Sequence, residues 1–184
     1  MQHNRLRSSL LRRQVSIGRT CQCVRRSLSQ KRVEVTVKQS MTRNEMEALL
    51  SEALVGRLGT CNRDEPYVVP ICFLHVEDKI YFHSRLQGKK LENMNVNPRV
   101  CFQVDDYNLV PSPRPCDFSM HYRSVIVFGR VRFLEDSEEK LKALKAMIDK
   151  YDISHSAEPI DETMADRVAV GEITVEEMSG KKNI

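Results

Sequence analysis

The sequence predicts a mainly β protein, in which six antiparallel strands form a small barrel with peripheral helices. Short apolar runs of strand length follow one another after Met41, and polar connections such as residues 62–65 and 76–78 separate them, as in hairpins. Apolar residues at helical spacing occur in only two or three segments. Consecutive short strands with few helices are typical of an antiparallel barrel. The 184 residues, 41% of them hydrophobic, are enough to bury one such core.

Six segments have the β-branched and aromatic composition of strands: residues 55–61, 66–74, 79–84, 99–105, 122–134 and 167–177. Two longer helices are predicted beside them. The first begins after Thr42, because Thr42 and Glu45 have the spacing of a capping box. The second begins near Asp136 or Ser137 and presents Leu141, Leu144, Ile148 and Tyr151 on one side.

Residues 106–121 interrupt this succession of strands. The segment is long for a hairpin connection and contains Pro111, Pro113 and Pro115, which cannot donate hydrogen bonds to a strand ladder. Two interpretations stay open for it, an ordinary excursion at the surface or a rim over a pocket.

Charge divides the chain near Met41. Residues 1–40 contain ten Lys or Arg and one acidic residue, a net charge of +9, whereas residues 41–184 contain 19 basic and 24 acidic residues, a net charge of −5. Residues 1–40 lack apolar periodicity and are predicted to be a disordered basic extension, followed by a folded domain over residues 41–182. The extension is interpreted as the product of an upstream start codon, with a targeting sequence or a nucleic-acid-binding arm as alternatives. The acidic domain gives no reason to expect nucleic acid.

Several function classes lack their sequence signatures here. The chain has no Gly-rich nucleotide loop, no GxSxG, no HExxH and no CxxC motif. No His or Cys at ligand spacing accompanies Cys21 and Cys23, so no metal site is predicted. No apolar run approaches the roughly 20 residues that span a bilayer, so no membrane association is expected. Cysteines within strand-like runs fit a reduced, cytoplasmic protein.

One segment offers the groups that bind a phosphate without such a loop. Ser84 ends a predicted strand and supplies a hydroxyl, Gly88 permits close approach of the backbone, and Lys89 and Lys90 begin a short helix. The N–H groups at a helix N-terminus also favour an anion. On composition alone, a solvated lysine pair at a surface turn is the simpler interpretation.

This segment resembles the flavin-phosphate segment of the pyridoxamine 5′-phosphate oxidase-like split barrels. Residues 80–100, IYFHSRLQGKKLENMNVNPRV, have the family's order of strand, small polar residue, basic pair, helix and N-P-R-V. The resemblance extends to the nitroimidazole-resistance branch of the family and covers about residues 41–182. Five motifs in the right order carry it: residues 55–60, 66–71, 81–84, 122–129 and 177–182.

The resemblance implies an FMN-binding split barrel with six antiparallel strands, a homodimer with the flavin at the subunit interface. By position, Val69, Pro70 and Ile71 would lie along the flavin ring, with their backbone groups facing its polar edge. His83 and Ser84 would follow beside the ring and the ribityl chain. His83 is the tentative catalytic residue, and a satisfied strand histidine is the alternative.

The same correspondence assigns the phosphate end of the flavin. Lys89 and Lys90 would hold the phosphate. Arg123 and Ser124, on a long strand, are further candidates that the other subunit would contribute.

The resemblance also indicates a reaction. True pyridoxamine phosphate oxidases have a C-terminal segment whose Arg and His residues grip the substrate phosphate, and none follows Gly180 here. We therefore expect an FMN-dependent oxidoreductase that reduces a small electron-poor substrate such as a nitroimidazole, with NAD(P)H or another electron donor. The alternative is a non-enzymatic split barrel that binds flavin, or haem through His83 or another histidine.

Overall fold

A computed structural model describes residues 38–114, 119–152, 154 and 156–183. Within these ranges the strands are β1 (Gln39–Ser40), β2 (Val55–Asn62), β3 (Glu65–Cys72), β4 (Leu74–Val76), β5 (Lys79–Ser84), β6 (Arg99–Val110), β7 (Ser119–Phe133) and β8 (Ala169–Asn183). The helices are α1 (Arg43–Glu52), α2 (Lys89–Val96), α3 (Ser137–Tyr151) and α4 (Glu162–Ala165). The predicted basic extension lies outside the described residues up to residue 37, and so do Cys21 and Cys23.

All the described strands join one antiparallel sheet in the order β3-β2-β6-β7-β8-β5-β4, with β1 added along β8. β3 and β4 stand at opposite ends of this order, although only Phe73 separates them in the chain. The sheet must therefore curl until its two ends meet. The predicted fold class, a mainly β split barrel with peripheral helices, is confirmed. Its six predicted strands correspond to the six longer ones, and β1 and β4 are short additions.

Three predictions of strand extent are wrong. The predicted strand over residues 66–74 is divided at Phe73, where the chain leaves the β2 side of the sheet and joins β5. Residues 106–110 and 119–121 of the predicted connection over residues 106–121 are strand, because the β6–β7 ladder continues to the pair Val110 and Ser119. A third strand is longer than predicted, since β8 extends to Asn183 and pairs there with Tyr122.

Both predicted helix starts are confirmed. The Thr42 hydroxyl accepts from the Glu45 N–H, and the Glu45 carboxylate accepts from the Thr42 N–H at 2.8 Å, which completes the capping box. Asp136 caps α3 by accepting from the Glu139 N–H at 2.8 Å. Among the described residues, no helix is long and apolar enough to cross a membrane.

The core fills the barrel with large side chains from most of the strands. Phe73, Phe82 and Phe102 are fully buried, and the rings of Phe73 and Phe102 meet edge to face with centroids 4.8 Å apart. Strand alternation brings these side chains inward and leaves the residues between them on the outer face.

The C-terminal end of α3 fastens the crossing at Phe73. The Tyr151 hydroxyl oxygen accepts from the Phe73 N–H at 2.8 Å and lies 2.6 Å from the Leu54 carbonyl oxygen, to which it can donate. The neighbouring Lys150 ammonium donates to the Ala53 carbonyl at 2.8 Å and lies 4.1 Å from the centroid of the Phe73 ring. Burial lowers the pKa of Lys150. One helix end therefore joins the end of α1 to the point where the barrel closes.

Replacing the Tyr151 hydroxyl tests this closure. Tyr151→Phe should lower the free energy of unfolding by about 1–3 kcal/mol, because the buried Phe73 N–H loses its acceptor. Urea unfolding followed by circular dichroism measures the change. A Tyr151→Phe variant as stable as the parent would contradict this role of Tyr151.

Candidate functional site

The turn from β5 into α2 forms a cradle of backbone N–H groups. This Ser84–Lys90 cradle comprises residues 84 to 90. α2 begins at Lys89 after Gly88, which has φ +133° and so occupies a conformation that side chains rarely adopt. A Cβ at Gly88 would meet no atom within 4 Å, so backbone conformation rather than crowding favours glycine there. No side chain caps this helix, and its first N–H groups are left for another partner.

Ser84 lies at the entrance to this turn and has an unsatisfied hydroxyl. Along β5, Ile80, Phe82 and Ser84 are buried, with Ser84 only 5% exposed. Its Oγ is buried without any hydrogen-bond partner. A buried polar atom without a partner is costly, and such atoms mark sites that a ligand or an ion completes.

The lysine pair begins the helix, as predicted, but its two members have different surroundings. The Lys89 ammonium lies 2.5 Å from a carboxylate oxygen of Glu65 and 5.5 Å from the centroid of the Tyr67 ring. The hydrogen bond that Lys89 donates to Glu65 raises the pKa of Lys89, so this ammonium stays charged at neutral pH. Lys90 is half-buried and has no ion pair within the described part of the chain. Lys90 is therefore the cation that is free for an external anion.

Side-chain hydrogen bonds hold α2 against β2. The buried Asn93 amide donates to the Thr60 hydroxyl at 3.0 Å, and that hydroxyl donates to the Tyr67 carbonyl at 3.3 Å. The Asn97 amide donates to the Cys61 carbonyl at 3.1 Å. These contacts fix the helix N-terminus relative to the start of β3.

β3 supplies an open strand edge beside the cradle. Among the described strands, only β2 pairs with it along its length. Pro66 and Pro70 have no N–H and stand at alternate positions, which suits the side of the strand without a ladder. The backbone groups of Val68, between them, face the same open side. An open edge of this kind can pair with the donors and acceptors of a flat polar ligand.

The three residues predicted to lie along a ring occupy this strand. Val69 is half-buried against the core, Ile71 is 9% exposed within it, and Pro70 is exposed. Of the three, Pro70 alone has an exposed side chain and a carbonyl on the open side of the strand, because alternation turns the backbone groups of Val69 and Ile71 toward β2. His83 is exposed on the outer face of β5, on the opposite side of the strand from Ser84. The structure therefore brings Ser84, but not the His83 side chain, to the inner face at the strand end.

Arg123 and Ser124 lie in a different cluster, on β7. Arg123 forms ion pairs with Asp106 and, at 2.9 Å, with Glu52. These carboxylates raise the pKa of Arg123, and Arg123 in turn lowers the pKa of Asp106. Ser124 lies 3.4 Å from the Gln103 amide nitrogen. Neither residue has a hydrogen bond to the Ser84–Lys90 cradle of the same chain.

A polar network that sequence reasoning missed connects Ser124 to Arg57 of β2 across the outer face. Gln103 donates to Asp105 at 3.0 Å, and Arg57 donates to Asp105 at 2.5 Å. Arg57 is the register partner of Pro70. Arg57 on β2 meets Gln103 and Asp105 on β6 only because the two strands are neighbours in the sheet. The sequence signal for this network was that these polar residues occupy alternate, outward-facing positions of their strands.

An apolar groove lies on the same outer face and has a volume of about 580 Å³. It is lined by Pro66 and Val68 of β3, Cys101 of β6 and Phe128 of β7, with Arg57 and Arg99 among its polar residues. None of the nine predicted site residues lines it. The size of the groove is in the range of small-molecule pockets.

Comparison with known proteins identifies the family. A family model described as pyridoxamine 5′-phosphate oxidase matches residues 42–182. The chain belongs to this family. An uncharacterized protein of Rhizobium meliloti (strain 1021) is 30% identical over 94 residues, which are 51% of this chain and 56% of that protein. The chain therefore spans about half the length of this family relative.

Solved structures share the fold of this family member. A candidate 5-nitroimidazole antibiotic resistance protein from Bacteroides thetaiotaomicron is 28% identical, with a TM-score of 0.70, covering 79% of this chain and 87% of that one. A FAD-binding protein from Mesorhizobium loti is 25% identical, with a TM-score of 0.61, covering 80% and 99%. The flavocytochrome Anf3 from Azotobacter vinelandii is 21% identical, with a TM-score of 0.68, covering 80% and 69%, and shows the fold alone.

Proposed function

We propose that the chain is an FMN-dependent oxidoreductase that reduces a small electron-poor substrate, with a nitroimidazole as the model substrate. The observation that carries the proposal is the buried, unpartnered Ser84 hydroxyl at the entrance to an uncapped helix N-terminus that bears Lys89 and Lys90. β3, the strand with the open edge, also carries Glu65 and Tyr67, whose side chains contact Lys89 at this cradle.

The residues present fit a flavin monophosphate. A phosphate group accepts hydrogen bonds from backbone N–H groups, a hydroxyl and an ammonium, which are the groups that the start of α2, Ser84 and Lys90 offer. The unpaired groups of β3 suit the polar edge of a flavin ring. One compact basic cluster serves one phosphate, so FMN is favoured over FAD, although a relative is named as a FAD-binding protein.

The protein's own residues bind and orient, and the bound flavin would supply the electron transfer. The Ser84–Lys90 cradle would fix the phosphate, and the edge of β3 would fix the plane of the ring. Pro70 and Arg57, which face outward beside that edge, would set access for a small substrate. The substrate class rests on the resemblance to the candidate 5-nitroimidazole resistance protein.

A reduction assay tests this function. The protein should release FMN on denaturation, identified by its mass. After chemical reduction under anaerobic conditions, the holoprotein should be reoxidised by a 5-nitroimidazole faster than free FMN at equal concentration, with loss of the nitro absorbance. If His83 acts beside the ring, His83→Ala should slow this turnover more than it lowers FMN occupancy.

Three other outcomes would contradict the proposal. Equal rates for bound and free FMN would favour a non-enzymatic flavin binder. A Soret band in place of flavin absorbance would indicate a haem protein, and release of FAD would exclude the monophosphate.

We also propose that the protein is a homodimer and that the outer face of the sheet is its interface. Register places Cys101 opposite Phe128 and Gln103 opposite Ile126 on this face. Further along, Tyr107 lies opposite Tyr122 and Leu109 opposite Met120. The exposed apolar residues of this face form a stripe in two parts, one at the groove and one toward the β6–β7 connection, with the pair Asp105 and Ser124 between them: Val68, Ile126 and Phe128, then Tyr107, Leu109 and Met120.

A second copy is the occupant that this stripe fits. Soluble monomers rarely expose this many large apolar side chains on one sheet face, and a two-fold axis would let the same stripe cover itself. The stripe also includes Val68 of β3, so the interface would adjoin the proposed flavin edge.

Sedimentation velocity tests the dimer. The parent should sediment as a dimer at micromolar concentration, and Phe128→Glu should shift it toward monomer, because a charge would be buried in the interface. Met164→Glu, on α4 and away from the stripe, is the matched control and should stay dimeric. A monomeric parent, or a folded Phe128→Glu dimer, would contradict the proposal.

A further inference from the structure

We propose that Glu65 competes with the flavin phosphate for Lys89 and thereby limits the affinity of the site for FMN. The inference rests on the proposed function, because it assigns a role to the carboxylate that already faces one of the two cradle lysines. It concerns the strength of binding and leaves the reaction unchanged.

The hairpin between β2 and β3 holds Glu65 in place. Its two turn residues, Arg63 and Asp64, have φ of 49° and 63°, as a two-residue type I′ turn requires. Glu65 follows directly and pairs with Asn62 across the hairpin. The carboxylate is thus carried by a backbone of defined geometry at the end of β3.

The structure gives the Lys89 ammonium an anionic partner before any ligand binds. Glu65 Oε1 lies 2.5 Å from Lys89 Nζ, and the two side chains are 68% and 42% exposed. The centroid of the Tyr67 ring lies 5.5 Å from the same ammonium. Since α2 is held to β2 through Asn93 and Thr60, Lys89 can turn toward a ligand only by moving its own side chain.

A phosphate bound at the start of α2 would meet two unfavourable effects from the Lys89–Glu65 ion pair. Lys89 would have to leave or share its contact with Glu65, and the ion pair that is lost is an exposed one of modest strength. The phosphate carries up to two negative charges, so Glu65 would also repel it at short range. Both effects oppose FMN and neither acts on riboflavin, which has no phosphate.

Neutralising Glu65 tests the inference by isothermal titration of the apoprotein with FMN and with riboflavin. Glu65→Gln should tighten FMN binding by about three- to tenfold, from the combined ion-pair and repulsion effects. Riboflavin affinity should stay unchanged. Asp64→Asn removes a charge from the same turn without touching Lys89, and asparagine tolerates its positive φ, so this matched control should leave FMN affinity unchanged.

The Lys89→Ala background separates competition from general electrostatics. Part of the increase in FMN affinity caused by Glu65→Gln comes from the release of Lys89. That increase should therefore shrink by at least half when Lys89 is already alanine. If FMN binds the parent but Glu65→Gln leaves its affinity unchanged or lowers it, the inference is overturned and the proposed function stands. If the parent binds neither flavin, both are overturned.

Discussion

Closure of the sheet at Phe73 is the constraint on which the rest of the structure depends. Two strands that are consecutive in the chain stand at opposite ends of the sheet, and one residue joins them. The Phe73 side chain packs in the core, and its N–H donates to the Tyr151 hydroxyl. Because this junction takes β4 away to β5, β3 keeps one edge without a partner among the described strands.

The open edge of β3 can contribute to a ligand site only because α2 is fixed beside it. The Asn93–Thr60 hydrogen bond ties the helix to β2, and the type I′ turn brings the start of β3 back toward the same helix end. A cradle for an anion and a polar strand edge therefore adjoin in one protomer, although they come from segments about twenty residues apart in the sequence. The cluster around Arg123 lies elsewhere in the fold and has no hydrogen bond to this cradle in the same chain.

The sequence predicted what local chemistry determines. The Thr42 capping box, the six longer strands and the basic helix after Gly88 all follow from nearby residues. The division at Phe73 was missed because no Gly, Pro or polar residue lies between Ile71 and Leu74, and only the global strand order separates the two strands. The prolines suggested a loop over residues 106–121, but Pro111 and Pro113 lie beyond the end of β6 at Val110, and β7 begins at Ser119. Arg57 was missed because its partners come from strands that are distant in the chain.

The central claim, that the β5–α2 turn binds a flavin phosphate, is tested most directly by the affinities of FMN and riboflavin for the Lys89→Ala, Lys90→Ala double variant. Calorimetry on the apoprotein should show FMN binding weakened by roughly 2–4 kcal/mol, because two charged hydrogen bonds to the phosphate are removed. Riboflavin should bind the variant and the parent equally. Unchanged FMN affinity in the folded double variant would contradict the claim and leave the lysine pair as a solvated surface feature.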